Sequence, residues 1–314
     1  MSERITAPQP GQRHLRLTLV GLGDVGGTLL TALKLLGEEI DEIGIYDPYE
    51  PLIGRYCMEL GQVLDRPRPR IVPREKEDLF DCDLFLFAAS GGVPPVGARG
   101  DVRMQQLAGN RELLKQYAKQ ARDSGFSGLF CQISDPVDLL CSCVWWQSNL
   151  DETGTFDGKG LLPEQIVGFG LGVMAARARY YAEKQGLDPS KITAFGPHGK
   201  GLVIANDLEN YDDALSRELT QKTVEANHAV RALGFKPYIA PALSSACLSI
   251  LSLLRGLPFY GAIPEGGIWF GCRAVWTGEG AKALDDVSAL PPQLGDRIRA
   301  AMQELKELEP LCRL

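Results

Sequence analysis

The sequence predicts an α/β fold: a doubly wound parallel sheet covered by helices on both faces, followed by a unit of α+β character. Three observations lead there. In the first half, short and nearly continuous apolar runs alternate with amphipathic stretches, as buried parallel strands and their crossover helices require. The first run passes into the first helical pattern through VGLGDVGG, a turn with three regularly spaced glycines. Beyond Gly170 the alternation gives way to longer helices and Gly-rich strands. The chain is therefore divided into a disordered arm over 1–13, one domain over 14–170 and a second over 171–314.

Each element has its reason. LRLTLV (15–20) reads as the opening strand and VGGTLLTALKLLG (25–37) as a helix closed by Gly37. EIGIYD (42–47) and the short RIVP follow as strands. DLFLFAA (83–89) is a strong buried strand, 102–123 a helix, and GLFCQIS (128–134) a strand. PVDLLCSCVWWQ is a helix with Pro at its first turn, and QIVGFG (165–170) completes the series. The polar, Gly-rich stretch QSNLDETGTFDGKGLLPE is a surface loop. In the second half, a helix over 172–186 leads to two strands flanking GPHGKG. Helices over 213–233 and 240–255, strands near 258–277 and a terminal helix over 291–308 finish the chain.

At 314 residues the chain exceeds one small core, and 45% apolar with 23% charged residues is ordinary for a soluble globular protein. The net charge of -7, with no Lys/Arg-rich run, argues against nucleic-acid binding. No apolar run is long enough to span a bilayer, and MSERITAPQPGQRH lacks the apolar stretch of a secretory signal. Of eight cysteines only Cys141 and Cys143 are close, at a spacing that fits neither a redox pair nor a zinc pair. They read as buried reduced thiols, with no metal site and a cytoplasmic location expected.

Gly21, Gly23 and Gly26 form G-x-G-x-x-G between a strand and a helix. The first glycine permits the tight turn, the second lets backbone approach a pyrophosphate, and the third lets helix and strand pack closely. The helix N-terminus then stabilises the anion. Asp47 ends the next strand about 20 residues on, where it suits the two ribose hydroxyls and repels a 2′-phosphate. NAD is expected rather than NADP; an ordinary strand-to-helix turn is the plain alternative.

Only three histidines exist, and two sit in unpromising places: His14 in the arm and His228 in a polar helix. His198, in FGPHGKG, lies where a strand ends and glycines leave the imidazole accessible for proton exchange near neutral pH. A merely solvated loop histidine is the alternative. The helix GLGVMAARARYYAEKQGL bears Arg177, able to clamp a carboxylate through two parallel hydrogen bonds. On its own such an arginine is more often a surface charge, and Arg179, two residues on and so on a different face, is a candidate for one.

In order, VGLGDVGG, IGIYD, DLFLFAASGG, an Arg-bearing loop, ISDPVD, the helix with AARARYYAEK, GPHGKG and YIAPALSSA resemble the lactate/malate dehydrogenase family over nearly the whole chain. The resemblance implies a Rossmann-type dinucleotide-binding domain and an α+β substrate domain, assembled as a homo-dimer or homo-tetramer. It implies reversible hydride transfer between NAD and a small carboxylate substrate, a 2-hydroxy/2-oxo acid. It also implies a cofactor held against Gly21, Gly23, Asp24, Val25, Gly26, Asp47, Ala89, Ser90, Gly91 and Asp135. His198 matches the proton-exchanging histidine and Arg177 the carboxylate-binding arginine. The loop after DLFLFAASGG matches a lid whose arginine polarises the carbonyl. Counting forward from Ala89 gives Arg99, in R-x-D with Asp101, whereas counting backward from Asn110 gives Arg103. Arg99 is preferred; the second arginine either holds a distal substrate charge or solvates the lid.

Three positions depart from the family pattern. Met174 stands where the family has an aspartate that orients the histidine, and losing such a partner costs on the order of 10⁴ in rate in an analogous serine-protease dyad. Asp135 stands where asparagine is usual; it either restores the missing charge from another direction or caps the following helix. Val93, at the lid position that selects the substrate side chain, favours an apolar or bulky 2-oxo acid over malate, and Pro237 and Tyr238 hint at a reshaped pocket wall. Two further readings stay open: reduction of an imine formed from a 2-oxo acid and an amine, which an acid at 135 suits, and NAD binding with little turnover, which Met174 suits.

Overall fold

The computed structural model describes residues 6–91 and 102–313, the side chains of 102–105 excepted. Six apolar runs become parallel strands: β1 (Leu15–Val20), β2 (Ile40–Tyr46), β3 (Arg70–Pro73), β4 (Leu84–Phe87), β5 (Leu129–Gln132) and β6 (Ile166–Gly168). Their spatial order, 3-2-1-4-5-6, reverses between β1 and β4 and opens a crevice at the carboxyl ends of those two strands. Every residue of β4 and β5 is buried. The connecting helices are α1 (Asp24–Leu36), α2 (Glu50–Gly61), α3 (Val102–Asp123) and α4 (Val137–Ser148). Apolar side chains above and below the strands, among them Leu17, Leu19, Phe85, Phe87 and Phe130, make the main core.

Beyond β6 the sheet continues with antiparallel strands β9 (Phe259–Glu265), β10 (Ile268–Trp276) and β11 (Ala281–Ala283), joined through the Gly168–Ala262 pairing. The rest of the second half is α5 (Leu171–Lys184), the antiparallel pair β7 (Thr193–Phe195) and β8 (Val203–Ala205), α6 (Asp213–Ala232) and α8 (Pro292–Leu308). A smaller core forms between α5, α6 and this pair, with Val173, Met174, Ala178, Ile192, Ile204 and Leu219 at its centre.

Two expectations need correction. Residues 6–13 are a packed segment rather than a free arm. Thr6 N–H donates to the Ser127 carbonyl at 2.9 Å and Gly11 N–H to that of Leu254 at 2.7 Å. The Trp276 indole donates to the Pro8 carbonyl at 2.7 Å, and Ala7 is buried. No periodicity in this segment announces these contacts, which are all tertiary. The helix expected over 240–255 is divided: Pro241–Cys247 winds as a π-helix and α7 (Leu248–Leu254) continues it. Ser245 in the wide turn accepts Val173 N–H at 2.8 Å and donates to the Gly170 carbonyl at 2.7 Å. It thereby secures the start of α5, where Gly170 has no side chain to cap the helix.

All eight cysteines are unpaired and six are buried. Among the described residues, no helix is long and apolar enough to cross a membrane, and no group of His, Cys, Asp and Glu is arranged to hold a metal.

Candidate active site

The glycine turn sits at the crevice. Gly21 has φ +92°, and a Cβ there would stand 2.5 Å from Ala89 Cα; one on Gly26 would stand 1.8 Å from the Gly21 carbonyl oxygen. These two glycines are demanded by the protein itself. Gly23 differs: a Cβ there would meet nothing within 4 Å. It is also the N-cap of α1 and, lacking a side chain, leaves that helix end without a side-chain cap. Such a cradle fits a pyrophosphate. Gly26→Ala should lower stability by about 1–3 kcal/mol in chemical denaturation, whereas Gly23→Ala should stay within about 0.5 kcal/mol of wild type. The loss in Gly23→Ala should appear instead in an NADH titration, as roughly tenfold weaker binding.

Around the turn, Asp47 accepts Leu22 N–H on one oxygen at 2.8 Å and Tyr49 N–H on the other at 2.9 Å. Each oxygen retains a lone pair for a further donor. Asp24, in the first turn of α1, pairs with Lys236 at 3.0 Å, which brings the Pro237–Tyr238 segment to the same end of the crevice. Val25 packs on the core beneath. Beyond β4, Asn110 of α3, which is buried, accepts Gly91 N–H at 2.8 Å, contacts Ser90 Oγ at 3.2 Å, and donates to the Asp135 carbonyl at 2.6 Å. One side chain thus ties Ser90, Gly91 and Asp135 together.

His198 tops the turn between β7 and β8. Its Nδ1 lies 3.0 Å from Asp135 Oδ1, with the imidazole 14% and the carboxylate 45% exposed. The close approach depends on Gly170, where a Cβ would come within 3.2 Å of His198 Cβ and 2.9 Å of Val137 Cγ2. Asp135, just ahead of the N-cap Pro136 of α4, thus presents its carboxylate to the imidazole.

A second carboxyl lies behind the histidine. Asp138, in the first turn of α4 and 5% exposed, accepts hydrogen bonds from its own backbone N–H and that of His198. Burial pushes its carboxyl up to about 7, aided by repulsion from Asp135 and opposed by those hydrogen bonds and by His198. The folded protein therefore holds a proton there that the unfolded chain has released, and stability falls as pH rises from about 4 through about 7. Asp138→Asn keeps an acceptor for the His198 N–H and removes this titration. Its stability relative to wild type should rise across that window by up to about 1.4 kcal/mol per pH unit, read by urea denaturation at several pH values.

Arg177, on α5, is half-buried. Its Nη2 donates to Asn227 Oδ1 of α6, and its Nη1 lies 3.9 Å from Met174 Sδ. Burial lowers its pKa, opposed by Tyr181 and by Asp135, so Asp135 interacts electrostatically with both Arg177 and His198. Met174, one turn earlier on α5, is a core residue whose sulfur faces the guanidinium. Arg179 is exposed and reaches Tyr260, His14 pairs with Asp41, and His228 lies on the exposed face of α6. Val93, Arg99 and the side chain of Arg103 lie outside the described residues.

The structure thus gathers His198, Asp135 and Arg177 at the crevice that holds the glycine turn. Asn110, Asp138, Asn227 and Ser245 support them and went unnoticed in the sequence. Asn227 and Asn110 are each one polar residue in a helix rich in polar residues, so neither carries a local signal.

No family model matches the sequence. The minor L-lactate dehydrogenase from Enterococcus mundtii has the same fold, with a TM-score of 0.78 at 20% identity over 96% of this chain and 99% of that one. Malate dehydrogenase from Plasmodium falciparum gives 0.76 at 18% identity over 95% and 98% of the two chains. Lactate dehydrogenase from Eimeria maxima, solved with NADH and oxamate, gives 0.74 at 19% over 96% and 94%. Sheet order and glycine turn define a Rossmann-type, doubly wound α/β protein. In sequence, L-lactate dehydrogenase from Streptococcus mutans is 29% identical over 214 residues, 64% of this chain and 60% of that enzyme, and the enzyme from Lacticaseibacillus casei is 30% identical over 190 residues, 59% and 53%. The chain shares its fold with these lactate and malate dehydrogenases and is similar in sequence to L-lactate dehydrogenases, and it spans somewhat over half the length of the relatives it matches in sequence.

Proposed function

We propose that the protein is an NAD-dependent oxidoreductase that moves a hydride between NAD(H) and a carboxylate-bearing 2-hydroxy/2-oxo acid. The observation that carries this reading is the 3.0 Å contact of His198 Nδ1 with Asp135 Oδ1, within electrostatic reach of the Arg177 guanidinium. Nδ1–H donates to the carboxylate, which leaves Nε2 for the substrate. The glycine turn and the α1 N-terminus hold the pyrophosphate, and Asp47 takes the ribose hydroxyls. When bound, the reduced nicotinamide supplies the hydride that reaches the substrate carbonyl carbon. His198 gives its proton to the carbonyl oxygen, and Asp135 stabilises the imidazolium form that precedes this transfer. Arg177 binds the substrate carboxylate through paired hydrogen bonds, with Asn227 fixing the plane of the guanidinium. In this scheme Asp135 does from β5's end what the family's aspartate does from the position of Met174.

A second reading, reduction of an imine formed from a 2-oxo acid and an amine, is favoured by the 45% exposure of the Asp135 carboxylate, a fixed negative charge suited to a cationic C=N group. The test is NADH oxidation with a panel of 2-oxo acids, each with and without amines. Turnover without amine supports the first reading and strict amine dependence the second. Tight NADH binding without turnover would instead make the protein a dinucleotide-binding protein with a silent site. The family likeness also supports a homo-dimer or homo-tetramer, to be measured by light scattering.

A further inference from the structure

Lys34 lies in the last turn of α1, roughly 15 Å along the helix from the glycine turn. It is 4% exposed, which is unusual for a lysine. One of its donors meets the Pro69 carbonyl at 2.9 Å, and no described carboxylate pairs with it. A buried ammonium without a counter-charge is costly. Accordingly burial alone, with no acid opposing it, lowers the Lys34 pKa.

This lysine forms part of the wall of an open depression of about 630 Å³ between the end of α1, the segment leaving α2 and the edge strand β3. Arg66 and Arg70 stand on the same wall, with Asp65 the only acid. Arg70 pairs with Glu42 at 2.7 Å, but Glu42 is already shared with Arg74 at 2.8 Å. Arg66 has no ion pair with a described residue. The depression thus carries three cations against one acid, and Val63, Leu64 and Ile71 add apolar surface. It lies at the opposite end of α1 from the dinucleotide cradle, and nothing in the proposed redox reaction uses it.

We propose that this depression is a second anion-binding site, which takes the dianionic phosphate group of a small soluble phosphate monoester with an apolar body. Lys34 would be the buried counter-charge, Arg66 would close over the exposed oxygens, and Leu64, 85% exposed, would meet the body. The proposal is independent of the redox reading, because its ligand and its residues lie outside that site.

Calorimetric titration of the full chain with inorganic phosphate and with phenyl phosphate, at constant ionic strength, tests it. The expected result is saturable 1:1 binding, tighter for phenyl phosphate, weakened at least about tenfold by Lys34→Met and several-fold by Arg66→Gln. Should Lys34→Met fail to fold, Arg66→Gln, a surface change, decides the question. Wild-type affinity in these variants would mean that phosphate sits elsewhere, in the glycine turn above all, and would overturn the site. Absence of saturable binding would overturn it equally. Sedimentation with anionic phospholipid vesicles separates the other source of phosphate chemistry: vesicle binding that Lys34→Met abolishes would replace the soluble ligand with a lipid headgroup.

Discussion

Asp135→Asn is expected to lower kcat/KM by about 10³–10⁴ while leaving NADH binding far less affected. The carboxylate is isosteric with the amide, so the fold and the Asn110 contact to the backbone carbonyl should persist. What changes is the charge 3.0 Å from His198 Nδ1 and the preference for a proton on that nitrogen. An amide oxygen can still accept the Nδ1–H, but it does not offset the imidazolium, and an amide turned the other way donates to Nδ1 and selects the wrong tautomer. Steady-state kinetics on wild type and variant, with fluorescence titration of NADH, separate the two effects. On α5, Met174 is packed in the smaller core and the single acid, Glu183, lies more than two turns beyond it, so that helix offers no carboxylate beside the imidazole to compensate.

Arg177→Met should raise KM for a 2-oxo acid and lower kcat/KM by roughly 10²–10³, corresponding to loss of one half of a desolvated, hydrogen-bonded charge pair. Methionine retains the apolar contacts of a half-buried position, so the variant should fold. Arg177→Lys keeps the charge and loses the planar fork, and it should recover only part of the loss. Asn227→Ala, which frees the guanidinium without removing it, should give a smaller defect of the same kind. Progress curves across substrate concentration check all three. An unchanged KM in Arg177→Met would remove Arg177 from the site.

Much of the fold was legible in local patterns: LRLTLV coincides with the largely buried strand β1, RIVP with the edge strand β3, and the helix over 102–123 with α3. Strand ends such as those of β4 and β5 are shorter than their apolar runs, since a run records burial while a strand records pairing. The π-helical stretch was invisible because its cause is Ser245 holding the start of α5, a contact between distant segments. For the same reason residues 6–13 carry no local signal of their packing: Ala7 and Pro8 are ordered by Trp276 and the surrounding core, not by their own propensities. At the site, His198 and Arg177 stood out by residue type and setting, whereas the role of Asp138 depends on burial behind His198. Asp135 was readable only as a departure from a pattern; its orientation toward the imidazole required coordinates.

The most direct measurement is a single-turnover reaction of the protein with C4-deuterated NADH and the best 2-oxo acid from the panel, repeated with His198→Ala. Deuterium should appear at carbon 2 of the product with wild type, and the rate of its transfer should fall by about 10³ or more without the imidazole. Label transfer at the wild-type rate in His198→Ala, or bound NADH that gives no label to any 2-oxo acid with or without amine, would contradict the assignment of His198 and Asp135 as the proton-handling pair.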